Sequence, residues 1–192
     1  MDLPGKIERA FAWREKPAEV VEPEEHIQFD SDVEESIWFA GRDWRDITRR
    51  DWQEHPEALG FFSRDALAYY LPSVLLLSLQ CPQERLVSAA SLVGMLDWSP
   101  NAECWTDHFR MRFLGLRSEE YDVIKEWLLY ISDFEIYRVY GKSGPGDIFG
   151  RAFDTINLLQ RETERMPGSH LRPFRLRLIQ HPAKRHASHG NE

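Results

Sequence analysis

Apolar side chains recur along this chain at helical spacing, and the gaps between the recurring groups fall at proline, glycine and capping residues. Asp2 to Trp13 places Ile7, Ala10 and Phe11 at i, i+3 and i+4, which predicts a short helix with one buried stripe. Glu15 to Glu25, with Pro17 and Pro23, reads as an extended acidic linker. Helix resumes near Ser31, where Ser31 and Asp32 are capping residues, Glu34 and Glu35 occupy the first turn, and Val33, Ile37 and Trp38 face inward. The segment Arg42 to Leu59 sets Trp44, Ile47 and Trp52 among charges, and His55-Pro56 is expected to break whatever helix it forms.

The clearest start signal is Phe61-Phe62-Ser63-Arg64-Asp65-Ala66: a hydrophobic entry, a serine cap and the first turn of a helix towards Gln80, kinked at Pro72. A further helix restarts at Cys81-Pro82 and carries Leu86, Val87, Ala90 and Val93 to about Gly94. Another begins at Ser99-Pro100, with Trp105, Phe109 and Phe113 every four positions. Ser118 caps the most amphipathic segment, in which Tyr121, Ile124, Leu128 and Ile131 are inward and Glu119, Glu120, Asp122, Lys125 and Glu126 are wet, running to Tyr140. Gly141 to Gly146 is a breaker, and Phe149, Ala152, Phe153, Ile156 and Leu159 outline a last helix up to Met166. Arg172 to Ile179 alternates basic and apolar, as a short strand or docked arm does, and 180–192 is expected to be disordered. The pattern as a whole predicts an all-α, single-domain multi-helix bundle over 1–166, with an acidic linker at 15–30 and a basic tail at 167–192.

Charge sharpens this picture. With 24 Lys and Arg against 32 Asp and Glu, the chain carries −8, which argues against a nucleic-acid partner and for a basic protein one. The imbalance is uneven: residues 1–70 hold 9 basic and 17 acidic side chains, whereas 167–192 hold 5 basic and 1 acidic. Two cysteines, Cys81 and Cys104, make no disulfide framework, and no charged n-region with an apolar h-region opens the chain, so a cytoplasmic location is expected. The uncharged run Ala66 to Gln83 reaches the short edge of the ~17–25 residues of a membrane span, but Pro72, Ser73, Ser78 and Gln80 interrupt it, and a buried core helix is the preferred reading.

Candidate chemistry is sparse. Cys104 and His108 at i, i+4 would share a helix face, as a ligand pair or a thiol beside its base does, and Glu103 and Asp107 repeat that spacing. No second pair at ligand spacing accompanies them, so a partly buried cysteine beside a surface histidine is preferred. Lys142 to Gly146 lacks the phosphate-loop spacing, the tail histidines lack a regular one, and no Gly-x-Ser-x-Gly elbow exists. The arginines interleaved with aromatics at 109–117 suit internal cation–π contacts. No metal or cofactor is expected.

The segment Phe61-Phe62-Ser63, Ala66, Tyr69-Tyr70-Leu71-Pro72, Leu75 resembles a family of uncharacterised bacterial domains in which an aromatic N-terminal helix, a Trp-containing segment and an FFSxxAxxYYLPxxL helix come in that order. Ile7, Ala10, Phe11 and Pro17 would match the first element and Trp44 the second, while Arg64 replaces the family's usual proline. The resemblance implies a fold and no catalytic residue. Small acidic domains of this kind look like the immunity proteins encoded beside bacterial toxins, by analogy alone. That analogy, with the acidic surface and aromatic anchors that fast, slow-releasing capture of a basic toxin requires, places a protein interface at Glu34, Glu35, Trp38, Asp43, Trp44 and Asp46. Tyr69 and Tyr70 are expected in the core; for Trp38, Trp44 and Trp52 core and interface both stay open. The alternative is an enzyme of unknown reaction assembled around Glu103, Cys104, Asp107 and His108.

Overall fold

The computed structural model describes residues 2–22, 30–99, 101–138 and 147–165, and over these it is all α. Ten α-helices follow in chain order: α1 Leu3–Phe11, α2 Asp30–Ile37, α3 Arg49–Glu54, α4 Ala58–Phe61, α5 Arg64–Gln80, α6 Val87–Leu96, α7 Asp107–Phe113, α8 Ser118–Ser132, α9 Glu135–Arg138 and α10 Ile148–Arg165. The breaker at 141–146 and everything assigned to the tail, the arm at 172–179 included, lie outside the described residues.

α5 is the axis. Ser63 caps it by accepting the Ala66 amide, and from Ala66 to Leu75 every side chain is buried. A helix apolar all round must be enclosed by its neighbours, and α1, α6, α7 and α8 pack around this one. α5 continues through Pro72 to Gln80, although the proline supplies no amide for the carbonyl one turn back. Two serines on α5 tie it to its surroundings. Ser73 Oγ accepts the indole N–H of Trp52 from α3 at 3.0 Å, and Ser78 Oγ accepts that of Trp127 from α8 at 2.8 Å. Each hydroxyl also donates to its own helix, Ser73 to Tyr70 O and Ser78 to Leu75 O. Neither serine therefore holds an unmet hydrogen bond in the core. Among the described residues no helix is long and apolar enough to cross a membrane.

The outer helices close over this axis. α10 lies along α8 and α6, with Arg151 bridging to Asp97 by two bonds of 2.6 and 2.9 Å. α1 lies on α8 and α5, burying Ile7, Ala10 and Phe11 as the spacing predicts. Thr48 caps α3 in a reciprocal pair with Asp51, and the helix stops at His55, as the His55-Pro56 signal requires.

Several boundaries and faces differ from the sequence reading. The linker is docked over 15–22: Val20 and Val21 are buried, and Ser63 donates its amide to Val20 O at 2.7 Å and its hydroxyl to Glu19 O. α2 starts at Asp30, so Ser31 and Asp32 fall inside its first turn. On α2 the inward residues are Val33 and Ser36, while Ile37 is 42% exposed. α6 begins at Val87 rather than Cys81 and reaches Leu96; it buries Ser88, Ala89, Leu92 and Val93 and leaves Val87 exposed. Ser118 opens α8 as its first residue, and α8 ends at Ser132 rather than Tyr140, with α9 following as a separate turn. Glu120, read as solvent-facing, is fully buried, because its carboxylate receives Arg14, which lies between α1 and the docked linker, at 2.7 and 2.6 Å and the Arg117 amide at 2.6 Å. Periodicity assigned Glu120 to the wet side; the partner that draws it in lies 106 positions away.

Candidate protein-binding face

The stretch from Glu34 to Asp46 is anchored from beneath. The Ser36 hydroxyl is buried and donates to Ala58 O at 3.0 Å, while the Glu35 carboxylate accepts the Glu57 amide at 2.8 Å, so α2 is pinned to α4 by two polar contacts on its inner side. Glu34 and Ile37 are left facing outward. Beyond α2 the chain turns sharply at Gly41, whose φ of +75° lies in the left-handed region that glycine enters without a Cβ penalty. Lys16 from the linker closes that turn by donating to Gly41 O at 2.7 Å. Tyr70 reaches up from α5, its hydroxyl 2.5 Å from Phe39 O and 3.1 Å from Arg42 O.

This frame fixes the tryptophans differently. Trp38 is half-buried, stacked on the His55 ring at 4.6 Å and covered by the Arg42 guanidinium at 3.6 Å, with Arg42 Nε donating to Trp38 O. Trp44 is only 3% exposed and Trp52 is fully buried. The interface read from the sequence includes Trp44; in the structure Trp44 belongs instead to the buried core, with Ile47 and Trp52. Asp43 accepts the Arg45 amide at 3.0 Å and pairs with its guanidinium at 3.4 Å. That amide, with the Arg45 charge, holds the Asp43 carboxyl below its ordinary range despite partial burial. Asp46 and Glu34 are exposed, and Glu35 is spent on α4.

The second cluster does not assemble as the spacing predicts. Cys104 closes a 3-10 turn, Ala102–Cys104, Trp105 is extended, and Thr106 caps α7 before His108. Cys104 and His108 therefore never share a helix, and neither do Glu103 and Asp107. All four are exposed, Cys104 included, where a partly buried thiol was expected. Trp105, Phe109 and Phe113 all enter the core, Trp105 from the extended stretch before α7 and the two phenylalanines from α7 itself. Among the described residues no group of three or more His, Cys, Asp or Glu is placed to hold a metal ion.

No family model, curated protein or solved structure matches this chain. The resemblance carried by Phe61 to Leu75 thus rests on those residues alone. Sequence reasoning missed two features. One is the outward Ile37 beside Trp38, hidden because Ser36 took the inward position. The other is a cleft beside Trp44, formed by residues of α1, of the 44–47 segment and of α5, which no local spacing could reveal.

Proposed function

We propose that this chain is a non-enzymatic protein-binding module that occludes the surface of a basic partner, in the manner of a bacterial immunity protein acting in the cytoplasm. The observation that supports it most is the pairing of Ile37, 42% exposed, with the half-buried Trp38 on an anchored backbone. An apolar anchor fixed before binding loses little conformational entropy on association, and tryptophan is enriched among residues that dominate binding energy. Glu34, Asp43 and Asp46 flank that anchor, and the stretch 34–46 carries four acids against Arg42 and Arg45, net −2. Such a charge steers a basic partner into encounter and is screened by salt.

The test is affinity capture of the tagged full chain from its native lysate, washed at low and then high salt. A stoichiometric basic protein released by Trp38→Ala supports the reading. A partner insensitive to Trp38→Ala moves the interface elsewhere, and an acidic partner contradicts the occlusion of a basic one.

A further inference from the structure

The molecule holds a second recognition feature whose charge runs against that of the chain. A cleft of about 590 Å³ lies where α1, the 44–47 segment and α5 meet, within the several hundred Å³ typical of small-molecule sites. Leu76 and Leu77 of α5 give it an apolar wall, and Arg9, Arg45 and Glu8 line it, for a net charge of +1. In a chain of −8 this is a local reversal of sign. Trp44 also lines the cleft, and its Nε1–H is buried without a hydrogen-bond partner among the described residues. A buried donor left unbonded is costly, and native structures rarely keep one that nothing satisfies. Trp52 and Trp127, whose indoles reach serines of α5, both have theirs met.

We propose that this cleft binds a small ligand with an apolar body and a carboxylate, the body against Leu76 and Leu77 and the carboxylate facing Arg45 and the Trp44 indole. The sign of the lining selects an anion, the orphan donor selects an acceptor, and the volume selects a small molecule over a partner's surface. Arg45 is the moving part. Its guanidinium lies over the Trp44 ring at 4.3 Å and meets Asp43 at 3.4 Å, yet its side chain is half-exposed, so it turns from the ring to a ligand carboxylate without disturbing the bundle.

The probe is octanoate, with 1-octanol as its neutral counterpart, titrated into the full chain labelled with ¹⁵N and read at the Trp44 indole resonance, which is assigned by its loss in Trp44→Phe. Octanoate is expected to shift that resonance saturably and to bind roughly tenfold or more tighter than octanol, the scale of a charge-assisted hydrogen bond. Arg45→Gln should remove that preference while leaving octanol binding unchanged, and Leu77→Trp should fill the cleft and abolish both. Equal binding of octanoate and octanol overturns the proposal. So does an unmoved Trp44 resonance, the result also expected if the cleft takes only a partner's peptide.

Discussion

Trp127 of α8 donates its indole N–H to Ser78 Oγ of α5 at 2.8 Å, inside the core. The same contact is made in the middle of the same helix by Trp52 and Ser73, at 3.0 Å. Two of the largest side chains in the bundle are thereby given one orientation each, since a buried indole turned away from its acceptor would lose the bond and leave the donor dry.

Ser78→Ala and Ser73→Ala should each destabilise the chain by about 1–3 kcal/mol, because each strands a buried indole N–H. Ser78→Ala combined with Trp127→Phe should recover part of that loss, since the donor leaves with its acceptor. Urea unfolding of the two single variants and of this pair measures it.

The clasp between Arg14 and Glu120 makes a different prediction. Glu120 is fully buried and Arg14 nearly so, so Glu120→Leu leaves a cation without its partner and should cost about 3–5 kcal/mol. Arg14→Met together with Glu120→Leu should cost less than Glu120→Leu alone, because no unpaired charge remains. A double-mutant cycle on denaturation midpoints reads the difference.

Buried tyrosines set the alkaline limit of the fold. Burial pushes the hydroxyls of Tyr70 and Tyr121 far above the ordinary value of 10.0. A folded-state value raised above the unfolded one means that the folded chain keeps the proton longer. The stabilisation is complete below about pH 10 and is lost as pH climbs towards the folded value, by up to about 1.4 kcal/mol per pH unit for each group. Urea midpoints should be level from about pH 8 to pH 9.5 and fall above about pH 10, and Tyr70→Phe should make the fall shallower. The share of tyrosinate absorbance that Tyr70→Phe removes should appear with unfolding and not before it.

Much of this architecture is legible in the sequence, and the exceptions share a cause. Ile7, Ala10 and Phe11, the Ser63 cap, the stop at His55 and the stripe Tyr121, Ile124, Leu128, Ile131 are all local signals, and each is where periodicity and capping chemistry place it. Glu120, Ser36 and Trp44 are not legible. Their positions depend on Arg14, on Ala58 O and on the cleft between three elements, partners that no spacing within one helix specifies. The Cys104 and His108 pair failed for the converse reason: a four-residue spacing implies a shared face only where the backbone between is helical, and Trp105 and Thr106 are extended.

The tryptophans of the proposed face divide by burial, and the division is testable. Trp44→Ala removes a buried ring and should cost about 3–5 kcal/mol of stability. Trp38→Ala, from a half-buried site, should cost less and act chiefly on partner release. Thermal unfolding of both variants, beside partner dissociation rates for Trp38→Ala, separates the two roles.

The most direct measurement is the association rate of the captured basic partner with wild-type chain and with the variant Glu34→Lys, Asp46→Lys, each across a range of salt. Both sites are exposed, so stability should stay within about 0.5 kcal/mol of wild type. An acidic docking face predicts that the variant associates roughly tenfold or more slowly at low salt and loses most of the wild-type salt dependence. Equal rates and equal salt slopes would contradict it.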